Sequence, residues 1–211
     1  MGTVLEMTVR ALPVLALAVL SACGLGDRGT YFKDAATLIR SGLARDTGPV
    51  DQSLTLPEAI TDAVPGPLMV GVFPERNAKA AMVFLGGNGT VTSWAAGGGI
   101  TIAFDDGVLT ATRGLGGDLM SADLDEVKAG LRGGGQAVRV HRYLDGEEHL
   151  QARAFVCDYS RTGATVIEDC TGPELGFENQ YVLDSRGRIR ESLQWIGPQA
   201  GYLRSAPIRD R

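Results

Sequence analysis

Histidine is nearly missing from this chain. His141 and His149 are the only two, and they fit no HExxH or similar ligand spacing, which excludes the common zinc-hydrolase patterns. No G-x-S-x-G elbow occurs. Gly97-Gly98-Gly99 and Gly114-Leu115-Gly116-Gly117 lack the Lys-Ser/Thr of a phosphate-binding loop and open no helix after a βαβ strand, so they read as turns and bulges. Positive charge is also in deficit. Lys and Arg number 20 against 25 Asp and Glu, a formal net charge of -5. This leaves no electrostatic footprint for nucleic acid and no polybasic patch for an anionic membrane. Acids are plentiful, among them Asp105-Asp106, Asp123, Asp125 and Glu126, but adjacent acids in turns are ordinarily solvated. The expectation is a non-enzyme with no catalytic residues, no metal and no cofactor.

Long apolar runs are missing as well. The one candidate, Ala11 to Leu20, follows Arg10 and is too short to span a bilayer, but it suits the core of a signal peptide. Met7 offers an alternative start that would leave out the acidic Glu6. Leu20-Ser21-Ala22-Cys23 then resembles the bacterial lipobox. That resemblance implies cleavage before Cys23, a diacylglyceryl thioether on its sulfur and acylation of the new amino group. Each buried methylene adds about 0.8 kcal/mol, so more than one chain gives stable anchoring. Gly24 stands where an inner-membrane retention signal would have Asp, which resembles a Gram-negative outer-membrane destination facing the periplasm. The implied layout is a signal peptide at 1–22, a lipidated tether at 23–30 and a single β-rich domain at 31–211.

What remains has an ordinary globular balance, 44% hydrophobic and 21% charged. Tyr31 to Leu43 reads as a helix, with Phe32, Ala35, Ala36, Ile39 and Leu43 on one side. Thr55 looks like an N-cap for a short helix ending before Pro65. Leu68 to Phe73 and Ala80 to Leu85 read as strands. Val91 to Ala95 follows, then Ile100, Ile102 and Phe104 alternate with Thr101 and Ala103. Asp106-Gly107 is suited to a type I′ hairpin returning through Val108 to Thr112. Ser121 to Leu131 reads as a helix started by Ser121 or Asp123. Five further strands are expected: Ala137–Tyr143, Leu150–Tyr159, Ala164–Glu168, Phe177–Leu183 and Ile189–Ile196, with turns at Asp145-Gly146 and Ser185-Arg186-Gly187. The fold class is therefore mainly β: an antiparallel sandwich or barrel-like sheet with one to three short helices, mostly N-terminal.

Three cysteines divide into Cys23 and the even pair Cys157 and Cys170. In an exported chain the pair is expected to form a disulfide across a turn near Arg161-Thr162-Gly163. Aromatics make up 6% of the chain. Trp94, Tyr181, Trp195 and Tyr202 are the candidates for stacking on a sugar, although tryptophan in a strand is more often core.

Three segments together resemble one family. The first runs from Val91-Thr92-Ser93-Trp94 through the hairpin to Leu109-Thr110-Ala111-Thr112-Arg113-Gly114-Leu115-Gly116-Gly117-Asp118-Leu119. The second is Glu168-Asp169-Cys170. The third runs from Phe177-Glu178-Asn179-Gln180-Tyr181 to Trp195-Ile196-Gly197-Pro198. With a lipobox in front, the chain is similar to the YjbF/GfcB lipoproteins, associated with group 4 capsule and exopolysaccharide production. Val182 stands where that family tends to have Trp. The resemblance implies a mainly antiparallel β fold without established catalytic residues. It further implies a role assisting exopolysaccharide production or secretion beside an outer-membrane β-barrel and periplasmic proteins of the same pathway. A polysaccharide-binding module is the alternative, with Trp94, Tyr181 and Trp195 as the contacts.

Overall fold

The computed structural model of the chain describes residues 49–145, 147 and 149–210. The leader, Cys23, the 23–30 tether and the helix expected at 31–43 lie outside the described residues, as does Gly146 of one expected turn.

One antiparallel sheet organises the rest. Its first five strands are β1 (Leu68–Phe73), β2 (Ala78–Asn88), β3 (Val91–Ala95), β4 (Thr101–Asp105) and β5 (Val108–Arg113). A second run follows: β6 (Leu119–Asp123), β7 (Gly135–Leu144), β8 (Leu150–Thr162), β9 (Thr165–Thr171), β10 (Gly176–Leu183), β11 (Ile189–Gly197) and β12 (Gly201–Arg209). Each run is a meander, and β1 pairs with β12 to join them into a 12-stranded sheet whose terminal strands are β5 and β6. These two are consecutive in sequence, so the sheet curls into a nearly closed barrel. Side chains bridge the seam. The Arg113 guanidinium donates to the Leu119 carbonyl at 3.1 Å and the Met120 carbonyl at 3.3 Å. Asp118 accepts from the Thr112 hydroxyl and from the Gly114 and Leu115 amides, which shapes the loop between the two strands.

Period-2 patterning sets which side chains fill the barrel. In β10, Phe177, Asn179, Tyr181 and Leu183 are buried and their neighbours largely are not. The same alternation buries Val166, Glu168 and Cys170 in β9. The Asp106-Gly107 turn has φ of 51° and 85°, both positive as a type I′ hairpin requires. A Cβ on Gly107 would sit 3.0 Å from the Cβ of Ile189, so the turn packs directly on β11.

Several expectations are corrected. Ser121 and Asp123 do not start a helix. They belong to β6, where Ala122 pairs with His141 and Asp123 with Val140. The helix, α2, covers Asp125–Gly133 and is preceded by α1 at Glu58–Ala63. Ladder pairing with β7 outcompetes a cap at Ser121, since each backbone amide must find a partner. β6 is shorter than β7, and α2 covers the rest of β7's edge: Glu126 accepts the Val138 amide at 2.8 Å. Among the described residues, one helix thus precedes the sheet and one lies between β6 and β7. Thr55 does not cap α1 either; its hydroxyl meets Ser53 at 2.9 Å, and Pro57 precedes the helix. Strand β12 is an addition that its sequence conceals, because its inward positions are Leu203, Ser205 and Pro207 rather than a run of large apolar residues.

Because the sheet is a meander, its turns fall at two ends. One end is shut by contact between turns. There Arg76 donates to the Leu115 carbonyl, the Tyr202 amide donates to Glu75 at 2.9 Å, and Gly117 lies against Gln199. The other end carries the β4–β5, β8–β9 and β10–β11 turns together with α2. Helix α2 fits close to the wall, since a Cβ on Gly130 would fall 2.6 Å from the Tyr159 ring.

Candidate functional site

The barrel interior holds a bonded polar cluster. Arg139 on β7 donates through Nε to Glu168 Oε1 at 2.8 Å and through Nη2 to Oε2 at 2.9 Å. Glu168 also accepts from the hydroxyls of Tyr159 (2.5 Å) and Tyr181 (2.8 Å) and from the Asn179 amide at 2.8 Å. Five donors therefore surround one fully buried carboxylate. Burial opposes ionisation, but the Arg139 charge together with hydrogen bonds from Arg139, Asn179 and Tyr159 holds the Glu168 carboxyl below its ordinary value. Burial and the neighbouring carboxylate push the Tyr181 phenol well up.

Histidine 141 extends the cluster. The Tyr143 hydroxyl donates to the Ile196 carbonyl at 2.6 Å, so it accepts from His141 Nδ1, 2.9 Å away. That leaves Nε2 as an acceptor for Arg139 Nη1 at 3.3 Å. The network thus selects the neutral Nδ1–H tautomer, and burial with the Arg139 charge lowers the imidazole pKa well below its ordinary value. Aromatic rings enclose it. His141 stacks on Trp195 at 5.7 Å, and Trp195 on Phe177 at 4.5 Å. A register irregularity between Trp195 and Gly197 accompanies the inward turn of the indole.

Tyr181 and Trp195 are thus enclosed in the barrel, 0% and 7% exposed, and offer no open ring face to a sugar. Tyr202 is half-buried and its hydroxyl accepts the Glu178 amide. Cys157 and Cys170 are bonded to each other, directly opposite on β8 and β9. Glu168 approaches both sulfurs within 4.8 Å. The disulfide consumes both thiolates, so this trio is not a metal ligand set.

Open space occurs at the barrel end that bears α2. A cleft of about 490 Å³ lies between α2 and the β4–β5, β8–β9 and β10–β11 turns. Its floor is apolar, with Val108, Leu131, Leu183 and Ile189. Lys128, Arg132, Arg161 and Arg188 line its rim, with Asp106 as the one lining carboxylate. Lys128 is paired with Asp105 at 2.8 Å and Arg188 with Asp184 at 2.8 Å. A second cavity of about 280 Å³ shares Thr92, Gly107, Arg188 and Ile189 with the first and reaches Trp94 and Phe104. Trp94 lines this cavity but is itself buried, 6% exposed, with its indole N–H held by Thr92 at 3.0 Å. No local sequence signal marks the cleft, since its cations come from positions 128, 132, 161 and 188.

These features define a barrel-like β-meander whose interior is filled by side chains and whose clefts lie at its surface, one of them at the mouth beside α2. The model of the group 4 capsule polysaccharide lipoprotein family, GfcB or YjbF, matches residues 50–206, and the chain belongs to this family. The protein is accordingly a capsule-polysaccharide-associated lipoprotein. Among solved structures, the chain is similar to the hypothetical lipoprotein YmcC of Escherichia coli (K12), with 16% identity and a TM-score of 0.60 over 75% of this chain and 100% of that one. At that identity the likeness speaks for the fold. No curated protein matches.

Proposed function

We propose that the protein is a non-catalytic scaffold, held by lipid on Cys23 at the periplasmic face of the outer membrane, that assists export of an extracellular polysaccharide. The observation that carries this reading is the family match across residues 50–206. The lipobox at Leu20–Cys23 supports the anchor, and Gly24 supports the outer-membrane destination. The interior supports a structural rather than a catalytic role. Glu168 is saturated by donors and buried, so it has neither a free lone pair to act as a base nor a path to substrate. The expected partner is an outer-membrane β-barrel of the same export pathway, docked to the outer surface of the sheet. Gentle solubilisation of membranes from polymer-producing cells, followed by affinity purification, tests this. The protein is expected to bring down an outer-membrane barrel; its isolation as a lone monomer contradicts the docking.

A further inference from the structure

From the cleft beside α2 we infer a binding site for an anionic saccharide segment, a sugar chain bearing carboxylates of the uronate type. The inference rests on the polysaccharide reading above and names a ligand class and a place for it.

Three observations converge on this site. The first is charge. The molecule is acidic overall, at -5, yet four cations from three separate elements meet around one cleft. Their counter-charges are Asp105 and, more weakly, Asp125 on Lys128, Asp184 on Arg188, and Asp106 on the lining itself. Arg132 is exposed and makes no hydrogen bond or ion pair among the described residues. Arg161 is exposed and spends only Nε, on the Gly163 carbonyl at 3.0 Å. Two guanidinium ends thus remain open, and a planar guanidinium suits a carboxylate in two-point contact.

The second is the floor. Val108, Leu183 and Ile189 present an apolar surface below that cationic rim. A pyranose ring has an apolar C–H face and a polar edge, so it can lie on such a floor while its carboxylate reaches the rim. Thr90 and Thr92 supply hydroxyls on the facing wall, and Asp106 can accept from sugar hydroxyls. The third is extent. A second cavity, of about 280 Å³, adjoins the cleft and shares Thr92, Gly107, Arg188 and Ile189 with it. The larger volume, about 490 Å³, falls in the usual small-molecule range of about 300–1,000 Å³. A cleft of this size gives room for a sugar unit rather than for a single ion.

The test uses the full mature chain in detergent, with trigalacturonate as the probe, maltotriose as the neutral control and inorganic phosphate as the simple anion. Calorimetric titration at low ionic strength is expected to detect trigalacturonate binding, no maltotriose binding and markedly weaker phosphate binding. Affinity is expected to fall at about 0.3 M salt, where screening is short-ranged. The variant R132A/R161A changes two exposed rim residues and is expected to keep the wild-type melting temperature while losing about tenfold or more in affinity, a difference of about 1.4 kcal/mol. Absent trigalacturonate binding, equal affinity in the variant, or phosphate binding as tightly as the saccharide each overturns the inference. Measuring polymer export in a deletion strain beside the titration separates the two readings. If the deletion abolishes polymer export but trigalacturonate does not bind, the cleft inference fails and the scaffold reading stands. If the deletion leaves export intact, the scaffold reading fails whatever binds in the cleft.

Discussion

Arg139 and Glu168 are the residues on which the barrel interior depends most. Each is essentially without solvent contact, and among the described residues each is the other's only opposite charge at hydrogen-bonding distance. Removing one partner of such a pair leaves a buried uncompensated charge, at a cost of about 3–5 kcal/mol. Arg139→Met is therefore expected to lower unfolding stability by that amount in urea denaturation, whereas an exposed change such as Arg186→Met is expected to leave it nearly unchanged. His141 gives the molecule a pH response. Its folded pKa lies well below the ordinary 6.5, so the unfolded chain takes up a proton that the folded chain refuses. Stability is therefore full above pH 6.5 and falls as pH drops through that value, with a slope approaching about 1.4 kcal/mol per pH unit. Denaturation curves between about pH 7.5 and 5.5 are expected to record this decline, and His141→Gln is expected to flatten it. At this scale the sequence was informative about residue type and silent about environment. Tyr181 and Trp195 were legible as important aromatics of a strand. Their enclosure depends on Arg139 and His141, some forty residues or more away with no local motif, and on Glu168, which the sequence marks only as part of a short segment and not as buried.

Strands β8 and β9 show what spacing does reveal. Cys157 and Cys170 flank a turn centred near Gly163, and the hairpin brings them opposite each other. Closing a loop of this size stabilises the fold by about 3 kcal/mol in the chain-entropy model. Cys157→Ala with Cys170→Ala is expected to lose about that much in thermal or urea unfolding. Free-thiol labelling of the unreduced, denatured mature protein is expected to find neither Cys157 nor Cys170 reactive. The Asp106-Gly107 hairpin was equally legible, because positive φ at two consecutive positions has a narrow residue signature. The Ser121–Asp123 segment was misleading for a physical reason. Its residues can cap a helix or pair in a ladder, and only the presence of β7 alongside decides between them. β12 was hidden because Ser205 and Pro207 occupy inward positions where apolar residues would announce a strand. The cleft was invisible for a related reason, since its cations are gathered from α2, the end of β8 and the β10–β11 turn.

The described residues form one sheet that is nearly closed on itself. Closure leaves the two edge strands facing each other across a seam bridged by Arg113, so little free edge remains to recruit stray strands. A side-chain-filled interior leaves the outer surface and the clefts as the places where other molecules can be met. The overall architecture was readable because closely spaced short strands with turn signals permit few alternatives. Which of sandwich or barrel the chain adopts depended on the β1–β12 pairing, a contact between distant parts of the sequence. The most direct test of the scaffold account is the amount of polymer on the cell surface after deletion of the chain and its return as wild type or as Cys23→Ser. The account predicts that deletion removes surface polymer, that wild type restores it and that the unlipidated variant does not. Surface polymer unchanged by the deletion would contradict it.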